Sequence, residues 1–352
     1  MNRDSRTVVW GYLGAVIGAG FASGQELLQF FLVYGLYALP GVLIAGGLFA
    51  WLGVVLFAWT GSRRTADYQT LLADLFGTRL ARWIDGALTA SLLLGVCTMF
   101  SASGAVFSEH LDLPHGLGVI AAFAVVLGLL LRGYRGLVST YNLLVPIKVV
   151  LLLSIATAAY IANQGHSGPV AVITLAPGPS GSWWLAAILY AGYNFALAMV
   201  VLTAYRQSVG PGDGIRGAAV GGLILGVMAA VCCLAMGQYA PEVFRYQVPM
   251  LFVAGKVAPA AKGIYLAVLW LGILTTAIAN TYGFAQRISQ HFGWRYRTCL
   301  AATVMIALPL SFQGFARLVS WFYPLFGVLG AVIALTLTAS FLRFALRQLA
   351  IP

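Results

Sequence analysis

Ten apolar stretches of this 352-residue chain are candidates for membrane-spanning helices. Only 8% of the residues are charged and 61% are hydrophobic, whereas a soluble domain carries about 25% charged residues. A helix needs about 20 apolar residues to cross a bilayer, and only the fourth and ninth candidates are clearly shorter. The composition therefore predicts an all-α polytopic membrane protein with spans at 7–33, 39–60, 84–108, 117–131, 140–162, 182–205, 217–239, 262–286, 298–312 and 316–346.

Glycine interrupts the first of these stretches. Five of the sixteen residues from Gly11 to Glu26 are glycine, and the segment ends in a carboxylate. Each interior glycine costs a helix about 1 kcal/mol relative to alanine. Broken backbone at membrane depth persists where it is buried in protein or lines a polar cavity, and its free N–H and carbonyl groups can bind a solute and an ion. The break predicts the binding site of a secondary transporter.

The chain divides into two halves of five spans. The uncharged segment 163–181 is predicted to be an external loop between residues 1–162 and residues 182–352. The second half also opens on a glycine-containing segment, 188–196. Because five is odd, the halves insert with opposite orientation, and broken helices at corresponding positions point to a binding site at the midplane. We therefore expect an inverted five-plus-five repeat with discontinuous helices 1 and 6.

The basic residues lie mostly on one side of the predicted topology. With ten spans, the side that holds both termini carries 15 of the 20 basic residues: Arg3, Arg6, Arg63, Arg64, Arg79, Arg82, Arg132, Arg135, Arg206, Arg216, Arg287, Arg295, Arg297, Arg343 and Arg347. The opposite side holds Arg245, Lys256, Lys262 and Arg317, and Lys148 lies within a span. This bias predicts that both termini are cytoplasmic in a bacterial inner membrane. It also accounts for the net charge of +11 without a nucleic-acid partner.

Two further segments are too short or too polar to span. Residues 65–82 are predicted to form a cytoplasmic interfacial helix with an apolar face, Leu71, Leu72, Leu75 and Phe76. Residues 247–258 are predicted to form an external helix that can act as a lid. The four cysteines fall within apolar spans without metal-ligand spacing, so we interpret them as small core residues.

The segment Gly14–Glu26, GAVIGAGFASGQE, is similar to the opening signature of the YkvI family of bacterial membrane proteins. More broadly, the chain resembles the amino acid–polyamine–organocation superfamily with the leucine-transporter fold. This resemblance implies ten core helices and alternating access. It also implies cation-coupled uptake of an amino acid or a related small amine or zwitterion.

The resemblance also implies a site for the coupling ion. In sodium-coupled relatives, the ion lies between carbonyl groups of helix 1 and oxygens of helix 8. The matching positions here are the carbonyls of Gly14, Ile17 and Gly272 and the hydroxyls of Thr275 and Thr276. Alternatively, the two threonines donate to carbonyls of their own helix.

Lys148 in helix 5 favours a proton instead of sodium. Proton-coupled relatives place a helix-5 lysine where sodium would otherwise bind. A buried lysine can load and release a proton, whereas a lysine near the end of a span can instead extend its ammonium to the interface. The residues leave sodium coupling, proton coupling and ion-independent exchange all open. No organic cofactor is expected.

The substrate is expected at the helix breaks. Free N–H groups near Ala19 to Ala22 suit a carboxylate, and carbonyls near Ala191 and Gly192 suit an ammonium group. The serines and threonines are also compatible with ordinary helix packing, whereas a buried asparagine amide must find partners. The candidate substrate-binding residues are Gly18, Ala19, Gly20, Phe21, Ser23, Thr98, Ser101, Gly192, Tyr193, Asn194 and Asn280.

Glu26 and Arg317 are the candidate external gate. Relatives close the outer vestibule with an ion pair between helices 1 and 10, although the signs would be exchanged here relative to the leucine transporters. A charge at membrane depth is costly unless it is paired or hydrated, so Glu26 should have a specific role. Alternatively, Glu26 caps its own half-helix, binds a substrate amine or carries a proton.

Two other classes of function compete with transport. A channel or a germinant-receptor-like sensor could share this fold, although a sensor would favour a large soluble domain. A membrane enzyme would need paired acids or a His/Cys/Asp cluster at one depth, and Glu26 is the carboxylate that clearly lies within a predicted span. We therefore expect a transporter and not an enzyme.

Overall fold

The computed structural model describes residues 1–63, 67–131, 137–163, 182–206 and 208–349. These ranges fold into α-helices with short 3₁₀ turns between some of them and contain no β-strand. The helices are α1 Arg3–Val16, α2 Ala19–Ser23, α3 Gln25–Phe30, α4 Ala38–Arg63, α5 Tyr68–His110, α6 His115–Leu131, α7 Leu137–Asn163, α8 Trp183–Tyr205, α9 Pro211–Gly237, α10 Pro249–Val257, α11 Pro259–Phe292, α12 Tyr296–Leu310 and α13 Phe315–Leu349.

Seven of the described helical segments are long and apolar enough to cross a membrane. They correspond to α4, α5, α7, α8, α9, α11 and α13. The other three predicted spans correspond to the broken α1–α3 segment and to two short helices, α6 with 17 residues and α12 with 15. The protein is thus a multi-pass membrane protein, and the structure supports seven of the ten predicted spans by length.

The first predicted span, 7–33, is broken as expected. Helix α1 ends at Val16. Gly18 is the N-cap residue of α2 and has an extended backbone, with φ −75° and ψ −173°. A second change of direction follows at Gly24, whose left-handed φ of 81° separates α2 from α3. Glycine adopts this conformation without the steric cost that a side chain would impose. After these two bends, α3 lies in contact with α2.

The predicted break in helix 6 is wrong. Helix α8 runs without interruption from Trp183 to Tyr205. Its glycine serves close packing against α13 instead, because a Cβ atom at Gly192 would lie 2.6 Å from the backbone nitrogen of Ala331. Small residues commonly allow such close approach of membrane helices. Consequently, the carbonyl groups near Gly192 are engaged within a continuous helix.

A glycine–glycine contact lets helices α4 and α9 pack closely. Gly46 of α4 and Gly226 of α9 face each other so closely that a Cβ atom on Gly46 would lie 2.8 Å from the Gly226 Cα atom. Helix α9 also packs against α1, and α8 packs against α1 and α4. Helix α1 therefore packs against two long helices, α8 and α9.

Both predicted non-spanning helices are present in part. The first turns of α5, before the left-handed Gly77, bury Leu71 and Leu72. The predicted lid corresponds to α10, whose residues from Pro249 to Ala254 are buried against α7 and α11. The predicted loop at 163–181 lies outside the described residues apart from Asn163. The four cysteines are buried and unpaired.

Candidate functional site

A cavity of about 280 Å³ lies at the break between α1 and α2. Its walls come from the backbone around Gly18 and from α5, α8, α11 and α13. Its volume is near the lower end of the range for small-molecule sites, about 300–1,000 Å³. Gly18 faces open space, since a Cβ atom there would meet no atom within 4 Å. The break thus exposes backbone to a cavity of the size that suits a small solute.

Glu26 forms the closed end of this cavity. The turn at Gly24 folds α3 back so that the Glu26 carboxylate lies directly over Gly20, where a Cβ atom would overlap the Glu26 Oε1 atom. The residue is 3% exposed. The phenol groups of Tyr190, Tyr193 and Tyr323 surround the carboxylate. Glycine at position 20 is therefore what admits the carboxylate to the break.

Aromatic and amide side chains form the side walls. The rings of Tyr193 on α8 and Tyr323 on α13 stack with their centroids 4.3 Å apart. Asn194 also lines the cavity, and its Nδ2 donates to the Tyr190 carbonyl at 3.1 Å. The Thr98 hydroxyl donates to carbonyls of its own helix at 2.9 Å. The groups on the side walls that can contact a solute are therefore aromatic rings and amides, because the Thr98 hydroxyl already donates within its own helix.

Arg287 lies at the opposite end, where the lining is less buried. Its Nη1 atom is 3.3 Å from Asp85 Oδ1 and donates to Thr89 Oγ1 at 2.9 Å. The Tyr68 hydroxyl also donates to Asp85 at 2.8 Å. This end belongs to the side of the bundle predicted to be cytoplasmic. Because burial decreases from Glu26 to this network, the cavity opens towards it.

Lys148 of α7 occupies the region predicted for the coupling ion. Its side chain is buried, and its Nζ atom donates to the Ile17 carbonyl at 3.1 Å. A Cβ atom at Gly272 would lie 3.8 Å from the same Nζ atom. The hydroxyls of Thr275 and Thr276 both donate to the Gly272 carbonyl, at 3.0 and 2.8 Å. The lysine ammonium therefore lies between the predicted sodium ligands, and it does not extend to the interface.

The end of the bundle beyond Glu26 is closed by contacts that we call the Glu109 latch. The Glu109 carboxylate at the end of α5 accepts from the backbone nitrogens of Gln247 and Val248 at 3.0 and 3.2 Å. Gln247 Oε1 in turn accepts from the Ala316 nitrogen at 3.2 Å. The latch consists of Glu109, Gln247, Val248 and Ala316, and it joins α5, the start of α10 and the start of α13.

We expect Glu109→Gln to lower the thermal unfolding midpoint by a few degrees. The carboxylate accepts charge-assisted hydrogen bonds, which contribute about 1.5–3 kcal/mol each. The neutral amide of glutamine has one acceptor oxygen and no charge, so it accepts these bonds less well. The matched control is Glu242→Gln, which removes the exposed 3.4 Å ion pair with Lys256 and should change the midpoint little. Equal shifts of the unfolding midpoint in the two variants would show that the latch contributes no more to stability than an exposed ion pair does.

The structure places 11 of the 19 predicted site residues on the lining of the cavity. Those that line it are Gly14, Ile17, Gly18, Ala19, Gly20, Glu26, Thr98, Tyr193, Asn194, Thr276 and Asn280. Their roles in binding stay predictions. Those that do not line it are Phe21, Ser23, Ser101, Lys148, Gly192, Gly272, Thr275 and Arg317.

Particular contacts explain several of these differences. The Ser23 hydroxyl donates to the Gly20 carbonyl at 2.8 Å and accepts from the Gln25 nitrogen, so it stabilises the bend instead of facing the cavity. Phe21 and Ser101 are fully buried in the helix packing. Thr275 is buried against its own helix.

The predicted gate pair is not formed in this structure. The ion pairs within the described ranges are Lys256–Glu242 and Arg287–Asp85. Arg317 is exposed and lies over the ring of Trp321, whereas Glu26 faces inward to Gly20. Nor does Glu26 cap α3, which has no side-chain cap. The fold-back at Gly24, which sequence reasoning missed, separates the two charges.

Sequence reasoning also missed Tyr323, Arg287 and Glu109. Tyr323 precedes a proline inside a long apolar helix, and this position could have indicated a residue with a specific role. Arg287 was assigned only to the topology. Glu109 is separated from its partner Gln247 by 138 residues, so no local pattern indicates the latch.

Comparison with known proteins supports the family resemblance. The chain is 29% identical to the membrane protein YkvI of Bacillus subtilis over 317 residues, 90% of each chain. The resemblance to the YkvI family is confirmed. The chain is also 25% identical to the protein YyaD of Bacillus subtilis over 327 residues, which are 92% of this chain and 93% of YyaD. No protein-family model matches the chain.

Solved transporter structures share the fold. The structure of MhsT in complex with L-phenylalanine aligns with a TM-score of 0.58 at 16% identity, covering 95% of this chain and 88% of MhsT. The closed conformation of Mhp1, a nucleobase-cation-symport-1 family transporter with bromovinylhydantoin bound, gives 0.60 at 14% identity, covering 98% and 92%. The fold is thus that of the leucine-transporter-like secondary transporters.

Proposed function

We propose that this protein is a secondary active transporter that moves a small amine or amino acid by alternating access. The single observation that carries this is the cavity at the α1–α2 break. It ends at buried Glu26 and opens towards the Arg287 end. A site open at one end and closed at the other is what alternating access requires. A channel is less well supported, because Glu26 at one end of the cavity is buried in the part of the chain that the structure describes.

The closed end and the open end of the cavity determine whether the proposed conformation faces inward or outward. The Glu109 latch and the buried helix α10 close the end that the charge distribution predicts to be external. The arginine-rich end, which holds both termini, then faces the cytoplasm of a bacterial inner membrane. In this orientation, the described conformation is the one that releases solute inward.

For coupling, we favour a proton or an ion-independent exchange over sodium. The supporting contact is the 3.1 Å hydrogen bond from Lys148 Nζ to the Ile17 carbonyl, one of the predicted sodium ligands. An ammonium group and a sodium ion cannot occupy this position together. The threonine hydroxyls are also directed to the Gly272 carbonyl.

The test is a binding screen followed by uptake. Purified protein would be heated with each of the twenty amino acids and a set of small amines, with sodium or with potassium. A ligand that binds the folded state raises the unfolding midpoint by mass action. We expect at least one compound to stabilise the protein equally in both salts, and proteoliposomes to accumulate the same compound. A compound that binds but is never moved would favour a sensor.

A further inference from the structure

Glu26 differs from the basic residue on the cavity lining, Arg287. It is the one acidic residue that lines the cavity, and no ion pair in the described ranges involves it. The basic residue on the lining, Arg287, is already paired with Asp85 at the other end. A buried charge without a partner is costly, and in membrane proteins such groups face substrate or ion pathways.

The Glu26 carboxyl group is buried at the wall of the cavity. The residue is 3% exposed, and its Oε2 atom has no hydrogen-bond partner in the part of the chain that the structure describes. The Tyr190 hydroxyl lies next to the same carboxyl group. Buried polar atoms in native proteins nearly always find a partner. Because Glu26 lines the cavity, a solute in the cavity can supply a further partner for its carboxyl group.

The remaining groups favour a positively charged partner. The ammonium site predicted at helix 6 does not exist, because α8 is continuous through Gly192. The stacked rings of Tyr193 and Tyr323 border the cavity next to the carboxylate. Aromatic faces attract cations, so the rings and the carboxylate select the same charge. An anion in this place would face the carboxylate directly.

We infer that Glu26 binds the ammonium group of the transported solute and thereby selects amines and amino acids over carboxylates that lack an amine. This inference rests on the proposal that the cavity is the transport site. Gly20 is part of the same arrangement, because any side chain there would displace the carboxylate. The helix-1 glycine then has a specific purpose, which is to bring an acidic side chain to the break.

Matched compounds separate the charge preference from general binding. The probes are leucine and phenylalanine, the amines that lack their carboxylates (3-methylbutylamine and 2-phenylethylamine) and the acids that lack their amines (4-methylpentanoate and 3-phenylpropionate). Wild-type unfolding midpoints should rise with at least one zwitterion or amine and stay constant with both acids. Stabilisation by an acid equal to that by its amine, or none by any amine or zwitterion, would overturn the inference.

Glu26→Gln tests the residue itself, since it keeps the shape and removes the charge. We expect the affinity for the stabilising amine to fall about tenfold or more, because hydrogen bonds to charged groups are stronger than neutral ones. The control Glu242→Gln removes an exposed acid outside the cavity and should bind normally. Unchanged affinity in Glu26→Gln would refute the role of Glu26, whereas binding without uptake in the wild type would refute the transport proposal alone. Should Glu26→Gln fail to fold, the wild-type comparison of amines with acids still decides the charge preference.

Discussion

Leucine at position 18 is expected to reduce uptake to background while the protein still folds. Gly18 has backbone angles that any residue adopts, and a Cβ atom there meets open space. The larger side chain would therefore extend into the cavity of about 280 Å³ without strain and would occupy the volume of the solute. Uptake by proteoliposomes and the shift of the unfolding midpoint by ligand should both disappear.

Two matched variants show whether the cavity is responsible. Gly18→Ala adds one methyl group to the same open space and should keep most of the uptake. Gly47→Leu adds the same side chain as Gly18→Leu at an exposed glycine of α4 that also has no atom within 4 Å of a Cβ position. Normal uptake by Gly18→Leu would place the transport site elsewhere, and loss of uptake in Gly47→Leu would indicate a general effect of leucine.

The break in the first helix could be predicted because its cause is local. Gly18, Gly20 and Gly24 lie within seven residues, and such a cluster weakens a helix wherever the segment packs. The apolar spans could be predicted for the same reason, because hydropathy over about 20 residues needs no tertiary information. A specific role for Glu26 stays a prediction, which rests on the cost of a charge at membrane depth.

The absence of a break in helix 6 could not be predicted from local sequence. Gly192 has the same local signal as the helix-1 glycines, yet its reason is the approach of the α13 backbone to α8. That approach joins residues almost 140 positions apart, since Gly192 packs against Gly330 and Ala331. A glycine in a membrane helix serves either a break or close packing, and the neighbouring helix decides between them.

The partner of Glu26 was missed for a geometric reason. In a continuous helix, Glu26 would lie further towards the external end of the first span, where Arg317 of the last long helix is a reasonable partner. The left-handed Gly24 interrupts that helix, and the carboxylate lies over Gly20. The sequence shows that a glycine is present at position 24, but not which backbone conformation it adopts.

Replacing Lys148 by methionine is expected to remove the pH dependence of uptake. Methionine keeps an unbranched, largely apolar stem in the buried position but cannot carry a proton or donate to the Ile17 carbonyl. Loss of a buried hydrogen bond that leaves its acceptor unsatisfied costs about 1–3 kcal/mol. The C-terminal end of α1, which includes the Ile17 carbonyl, should therefore also be less stable in its position. Uptake should become slower and constant across the pH range in which the wild type varies.

The threonine pair provides the comparison that distinguishes a proton from sodium. Thr275→Val with Thr276→Val removes two hydroxyls that donate to the Gly272 carbonyl and leaves the Lys148 ammonium in place. If the lysine replaces the coupling ion, this double variant should retain the pH dependence, and replacing sodium by potassium should not alter uptake in any variant. Wild-type uptake that requires sodium, and that fails in the threonine variant but not in Lys148→Met, would reverse the assignment: the hydroxyls would then be sodium ligands and the lysine a structural donor to the end of α1.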